Sequence, residues 1–212
     1  MSFKNLALQW KVICLLVLLA VVSCGVIVYA AEQIDAVNQV NGRIIDGPAS
    51  ATTALARSNR DIRQAEAGLL ATAIASTRED AAAAEAMVDK AMESYDHQMA
   101  LAAKAYPEGA EKLALLTEKA KQVINGPCKG ALSMVKAAGS PVRTMRDGCV
   151  AAIDKQVDEA VAFNEGLVAE RDRLDLVADD IAFRAEVVSG LVMVLSSLLV
   201  IGISVVVTRR FI

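Results

Sequence analysis

Histidine occurs once in this chain, at His97, and aromatic residues make up only 4% of it. A carboxylate metal site in a helical bundle needs two Glu-x-x-His motifs, which one histidine cannot supply, so Asp96-His97 reads as a solvated pair and no metal site is expected. No C-x-x-C-H run is present to attach a haem, no glycine-rich loop to cradle a phosphate, and no recognisable nucleophile–base arrangement. No catalytic residues and no cofactor are therefore expected. An excess of basic charge is missing as well, the formal net charge being −3.

What the chain has in quantity is apolar residues, 55% of the total, and many of them sit in two uncharged runs. Val12 to Ala31 reads VICLLVLLAVVSCGVIVYAA, and Val187 to Val207 reads VVSGLVMVLSSLLVIGISVVV. A hydrocarbon core about 30 Å thick takes roughly 20 apolar helical residues, so each run is long enough to span. Lys4 and Lys11 precede the first run, and Arg209 and Arg210 follow the second. Cytoplasmic flanks carry the positive charge, which predicts both termini in the cytoplasm and the middle in the periplasm of a bacterial inner membrane. All 25 acidic residues fall in that middle with 18 of the 22 basic ones, a formal charge of −7. An acidic middle argues against a nucleic-acid partner. Two rival readings of the first run stay open: Val28-Tyr29-Ala30 as a signal-peptidase site, and Val21-Val22-Ser23-Cys24 as a lipoprotein box. The length of the run favours an uncleaved span.

The expected segments are thus a cytoplasmic amino terminus at 1–11, spans at 12–31 and 187–207, a periplasmic domain at 32–186 and a cytoplasmic end at 208–212. The middle is rich in Ala, Glu, Asp, Lys, Met and Leu, so it should be helical. Turns are predicted at Pro107-Glu108-Gly109 and at Ala138-Gly139-Ser140-Pro141, and a helix start at Ser76-Thr77-Arg78-Glu79 with Asp80 following. Four helices result, at about 32–76, 78–105, 108–138 and 141–186. Ile34, Val37, Asn41, Ile44, Pro48, Ala51, Leu55, Ser58, Ile62, Ala65, Leu69 and Thr72 recur in steps of three and four. Val150, Ile153, Val157, Ala160, Asn164, Leu167, Arg171, Leu174, Ala178, Ile181, Ala185 and Val188 do the same. That is the seam of a coiled coil or antiparallel bundle. Short connections predict an all-α, up-down-up-down four-helix bundle continuous with two transmembrane helices. Asp46-Gly47-Pro48 should kink the first helix and Asn125-Gly126-Pro127 should break the third.

Cys14 and Cys24 fall in the first run, as small apolar residues in lipid. Cys128 and Cys149 flank the turn at Gly139-Ser140 at similar distances, which an antiparallel hairpin brings to one level. In an oxidising compartment a disulfide is favoured there over free thiols. Arg57, Arg60 and Arg63 lie mostly off the apolar stripe. They read either as a solvated basic face or as an anion site, since a guanidinium suits carboxylates. Asn164 and Arg171 interrupt the last seam and would set register or line a pocket. Tyr95 and Tyr106 would close such a pocket or simply pack.

The layout as a whole resembles the amino-terminal half of bacterial methyl-accepting chemotaxis proteins. The features that carry the resemblance are a short Phe3-Lys4-Asn5-Leu6 lead, a span, a helical bundle and a second span ending in Thr208-Arg209-Arg210-Phe211-Ile212. The stretch from Pro48 through Arg57 to Leu70 is similar to the first helix of their sensor domain. The resemblance covers nearly the whole chain and rests on layout more than on diagnostic motifs. It implies a homodimer, a small anionic ligand or a protein partner in the periplasm, and a piston-like shift of the second span. Arg57, Arg60 and Arg63 fall where family arginines grip carboxylates, though the spacing matches no single member. In that family the sequence after Ile212 leads into a HAMP linker and a kinase-coupling coiled coil. The expectation is the input half of a longer receptor or a stand-alone descendant. The competing reading is an accessory subunit that docks onto a larger membrane complex without signalling.

Overall fold

The computed structural model describes residues 8–138 and 141–211, and among them it is all-helical. The elements are α1 (Leu8–Ile44), α2 (Ser50–Ile74), α3 (Arg78–Ala105), α4 (Ala110–Val123), α5 (Lys129–Ala138), α6 (Pro141–Met145) and α7 (Ala151–Phe211). The expected turn residues Gly139 and Ser140, the lead Phe3-Lys4-Asn5-Leu6 and the terminal Ile212 lie outside the described residues.

The chain divides into two compact units, one of 1–41 with 174–212 and one of 42–173. The second is shorter at both ends than the 32–186 segment bounded by the apolar runs. In the first unit, α1 and α7 each carry a segment long and apolar enough to cross a membrane, with none of its most apolar window buried. Large side chains such as Leu16, Val21, Ile27, Leu191, Leu195 and Leu198 are exposed there. Cys14 and Cys24 are free thiols, also exposed.

In the second unit, α2 packs most extensively against α3. Thr77 caps α3: its hydroxyl accepts the Asp80 N–H at 3.1 Å and donates to the Asp80 carboxylate at 2.7 Å. The first bond satisfies one of the N–H groups that a helix start otherwise leaves orphaned, and the second fixes the hydroxyl in place. The two helices approach closely because small residues line the contact. Gly68 is the extreme case: a Cβ there would lie 2.7 Å from Val88 Cγ2 and 3.2 Å from the Ala84 carbonyl. The buried side of α2 consists of Ala51, Ala54, Leu55, Ser58, Asp61, Ile62, Ala65, Gly68, Leu69 and Thr72. Every seam position predicted from Ala51 to Thr72 is among them. On α3 the buried positions are Ala84, Val88, Ala91, Tyr95, Met99 and Ala102. Burying one Leu55 or Ile62 side chain is worth about 1.5–3 kcal/mol.

Gly109 ends the 3₁₀ turn Pro107–Gly109, and its missing Cβ makes room for the rings of Tyr106 and Phe163. From there α4 is tied to α3 by Lys121–Asp96 at 2.9 Å, and to α7 by Lys119–Glu159 at 2.6 Å. Arg63 closes the circuit from α2 to α7 through Asp154, also at 2.6 Å.

Three π-helical turns interrupt the described helices: Ile45–Ala49, Ile124–Cys128 and Arg146–Val150. A π turn adds one residue to the helical repeat and is a recognised source of kinks. The first contains Pro48 and a non-helical Gly47 (φ −101°, ψ −109°), which is the kink predicted for that site. At Pro127 the chain bulges instead of breaking, and the flanking Val123 and Lys129 keep helical dihedrals. The third turn has no proline and no sequence signal that announces it. It faces the second across the hairpin, and Cys128 and Cys149 are joined there with Cα atoms 4.2 Å apart. Gly148 permits that approach, since a Cβ on it would meet the Ala131 methyl at 3.1 Å.

Candidate functional site

The basic residues singled out on α2 do not form one cluster. Arg63 is committed within the chain: it bonds Glu66 at 2.8 Å and Asp154 at 2.6 Å. The hydrogen bond to Glu66, first, and that to Asp154 hold its guanidinium above the ordinary arginine value against the opposing effect of burial. Arg60, 75% exposed, reaches the buried Asp61 at 3.5 Å. Arg171 on α7 pairs with its neighbour Asp172 at 2.8 Å, and Asn164 keeps a buried Oδ1 without a hydrogen-bond partner. Neither of these two side chains lines the groove that contains Arg57.

Arg57 is different. It has no ion-pair partner among the described residues, and it lines an open groove of about 580 Å³ between the start of α2 and the end of α3. The groove also contains Asp46, Thr53, Gln98, Leu101 and Lys104. Asp46 and Lys104 are likewise without an ion-pair partner among the described residues, so the groove offers two cations and one carboxylate not already neutralised. Antiparallel packing sets the register, because Ser94 meets Asp61 and Ala105 approaches Gly47. Gln98 thus lies near the level of Arg57, and Lys104 lies about 9 Å further along α3. An organic anion is the chemistry such a groove can hold. Lys104, Asp46 and Gln98 carry no sequence signal of a site, since single polar residues on a helix have no periodic pattern.

Inside the second unit is a set of polar groups that the sequence hides. Asp61 is 2% exposed, and its carboxylate accepts a 2.6 Å hydrogen bond from Ser94. Gln156 is buried on α7 and donates to the Leu116 carbonyl at 2.9 Å, joining α7 to α4. It is also hydrogen-bonded to Tyr95, which is fully enclosed rather than part of a pocket wall. Burial pushes the Tyr95 hydroxyl up to about 12, with the Gln156 hydrogen bond opposing it and Asp96 adding to it. Tyr106 is half-buried against the Gly109 turn, away from Arg57. Among the described residues no group of three or more His, Cys, Asp or Glu side chains is placed to hold a metal ion.

No protein-family model, no curated protein and no solved structure matches this chain.

Proposed function

We propose that this chain is a membrane-anchored input module of chemoreceptor type. In this reading α1 and α7 cross the inner membrane, both ends lie in the cytoplasm, and the residues between form a periplasmic up-down-up-down four-helix bundle that works as a homodimer. A small anionic ligand or a protein partner engages the periplasmic part and displaces α7.

The observation that carries the reading is α7 itself, 61 residues without interruption from Ala151 to Phe211. One end bears Asp154, Gln156 and Glu159, which contact α2 and α4. The other end bears the exposed apolar segment. A helix is stiff along its axis, so a change in the α2 or α4 contacts has a continuous covalent route into the span. A ligand shifts that equilibrium only if it binds one helix position better than the other. The disulfide supports an oxidising compartment for the second unit, and the Arg57–Lys104 groove supports an anionic ligand.

A second reading has its own support. Arg60, Arg63 and Arg171 are neutralised within the chain, as residues of a rigid scaffold would be. That favours an accessory subunit docked on a larger membrane complex, without signalling.

Cysteine accessibility tests the shared part of both readings. With Cys14 and Cys24 replaced by Ser, an impermeant maleimide should label Glu85→Cys in intact cells and should leave Arg209→Cys unlabelled until the cells are lysed. Labelling of both, or of Arg209→Cys alone, would sink the topology. Crosslinking between α1 and α7 that changes on adding a ligand would then separate the sensor from the scaffold.

A further inference from the structure

The first unit has a groove of its own, of about 320 Å³, between α1 and α7. Ala30, Ala182 and Ala185 leave space that larger side chains would fill, Ile34 continues the apolar wall, and Glu186 stands at its edge. A mostly apolar concavity with few polar groups, at the lower end of the ~300–1,000 Å³ range, is the usual form of a small-molecule site. Ala30 lies inside the first uncharged run, whereas Ala182 lies five residues before the second. The groove therefore crosses the level at which the apolar runs give way to charged residues.

Charge says what would fill it. The stretches 32–41 and 174–186 carry Glu32, Asp35, Asp175, Asp179, Asp180 and Glu186 against a single Arg184. Arg184 is taken by Asp180 at 2.8 Å. Glu186 has no ion-pair partner among the described residues, and the surrounding field is strongly negative. Such a field raises the local concentration of cations and repels anions.

We propose that this groove binds an amphipathic cation that enters from the bilayer. Its alkyl tail lies on the bilayer side, along Ala30 and Ser189, and its ammonium group sits beside Glu186, with Ala185 forming the wall between them. The tail removes apolar surface from water and the head neutralises an acid that the fold leaves unpaired. The inference rests on the reading that the two apolar runs lie in a membrane. It adds a ligand class and a site distinct from the Arg57 groove.

The test uses the full chain in phosphatidylcholine nanodiscs, with a photoreactive alkyltrimethylammonium probe and an alkyl sulfate of the same chain length. Peptide mass spectrometry reads where each probe attaches. The cationic probe should label peptides covering 30–38 and 182–189 about fivefold more than the sulfate does. Glu186→Gln should lower that labelling about two- to fivefold, the range set by an exposed ion pair. Ala185→Phe should fill the groove and remove it, and Glu165→Gln, an exposed acid in the other unit, should leave it unchanged. Equal labelling by the two probes, labelling spread evenly along 12–31 and 187–207, or no effect of Glu186→Gln would each overturn the proposal. So would crosslinks showing that a second copy of the chain covers the groove. A chain that does not enter nanodiscs at all overturns the membrane reading together with the proposal, and is seen before any labelling is done.

Discussion

Asp61 is the residue whose environment most needs explaining, because an ionisable side chain enclosed between two helices is stable only when its oxygens are satisfied. Ser94 supplies the short hydrogen bond from α3, and Arg60 approaches from outside. Ser94→Ala should therefore destabilise the fold by about 1.5–3 kcal/mol, the range for a hydrogen bond to a charged group. Thermal unfolding followed by circular dichroism would measure it, and a loss no larger than that of an exposed serine would show Asp61 to be satisfied without Ser94. Tyr95 makes a second prediction at this scale. Its hydroxyl is raised to about 12 in the folded state, against about 10 in an unfolded chain. The folded state thus holds its proton where the unfolded state has lost it. The associated stability is fully present below pH 10 and declines as the pH rises from about 10 to 12. Tyr95→Phe should cost about 1 kcal/mol at neutral pH through the lost hydrogen bond. The variant should also lose less stability than the wild type across that alkaline window.

At the scale of elements, glycines distinguish contact surfaces from free ones. Gly68 and Gly166 both sit inside helices, where replacement by alanine ordinarily gains about 0.5–1 kcal/mol. A Cβ on Gly166 meets nothing within 4 Å, so Gly166→Ala should be stabilising by that amount. On Gly68 the same Cβ runs into Val88 and the backbone of Ala84, and Gly68→Ala should destabilise by about 1–3 kcal/mol. Comparing the two melting temperatures checks the sign of each. The paired π turns give another element-scale prediction. The Cys128–Cys149 bond closes a separation of 21 residues, worth about 3 kcal/mol in the chain-entropy model. Cys128→Ser should lower the melting temperature under oxidising conditions and make no difference once the wild type is reduced.

For the whole molecule the question is which charges are available to a partner. Arg57 and Lys104 are uncommitted, whereas Arg63 and Arg171 are spent on acids of the same chain. A small organic acid present at 100 times its Kd should raise stability by about 2.7 kcal/mol if it binds only the folded protein. Arg57→Ala with Lys104→Ala should abolish that thermal shift, and Arg171→Ala should leave it intact. A ligand that stabilises the double variant as much as the wild type would remove the groove from consideration.

Sequence by itself determined the helical state, the two apolar segments and the inner face of α2, because each rests on a regularity along the chain. Uncharged runs long enough to span are visible as runs. The three–four spacing from Ala51 to Thr72 names one side of a helix whatever packs against it. Proline and glycine at 47–48 announced a kink for local reasons, since a missing N–H and an open backbone act within one turn. The structure alone decided what depends on a neighbour distant in the sequence. Pro127 produced a bulge rather than a break, and a matching bulge at Arg146–Val150 formed opposite it without any local signal. Asp61 lies one residue after Arg60 and two before Arg63, and it is enclosed where α3 places Ser94 over it. Arg57, Arg60 and Arg63 are alike as a sequence pattern and differ entirely as charges. Acids from α7 and from their own helix reach two of them and leave the third open. Periodicity is a property of one helix, whereas neutralisation of a charge is a property of the pair.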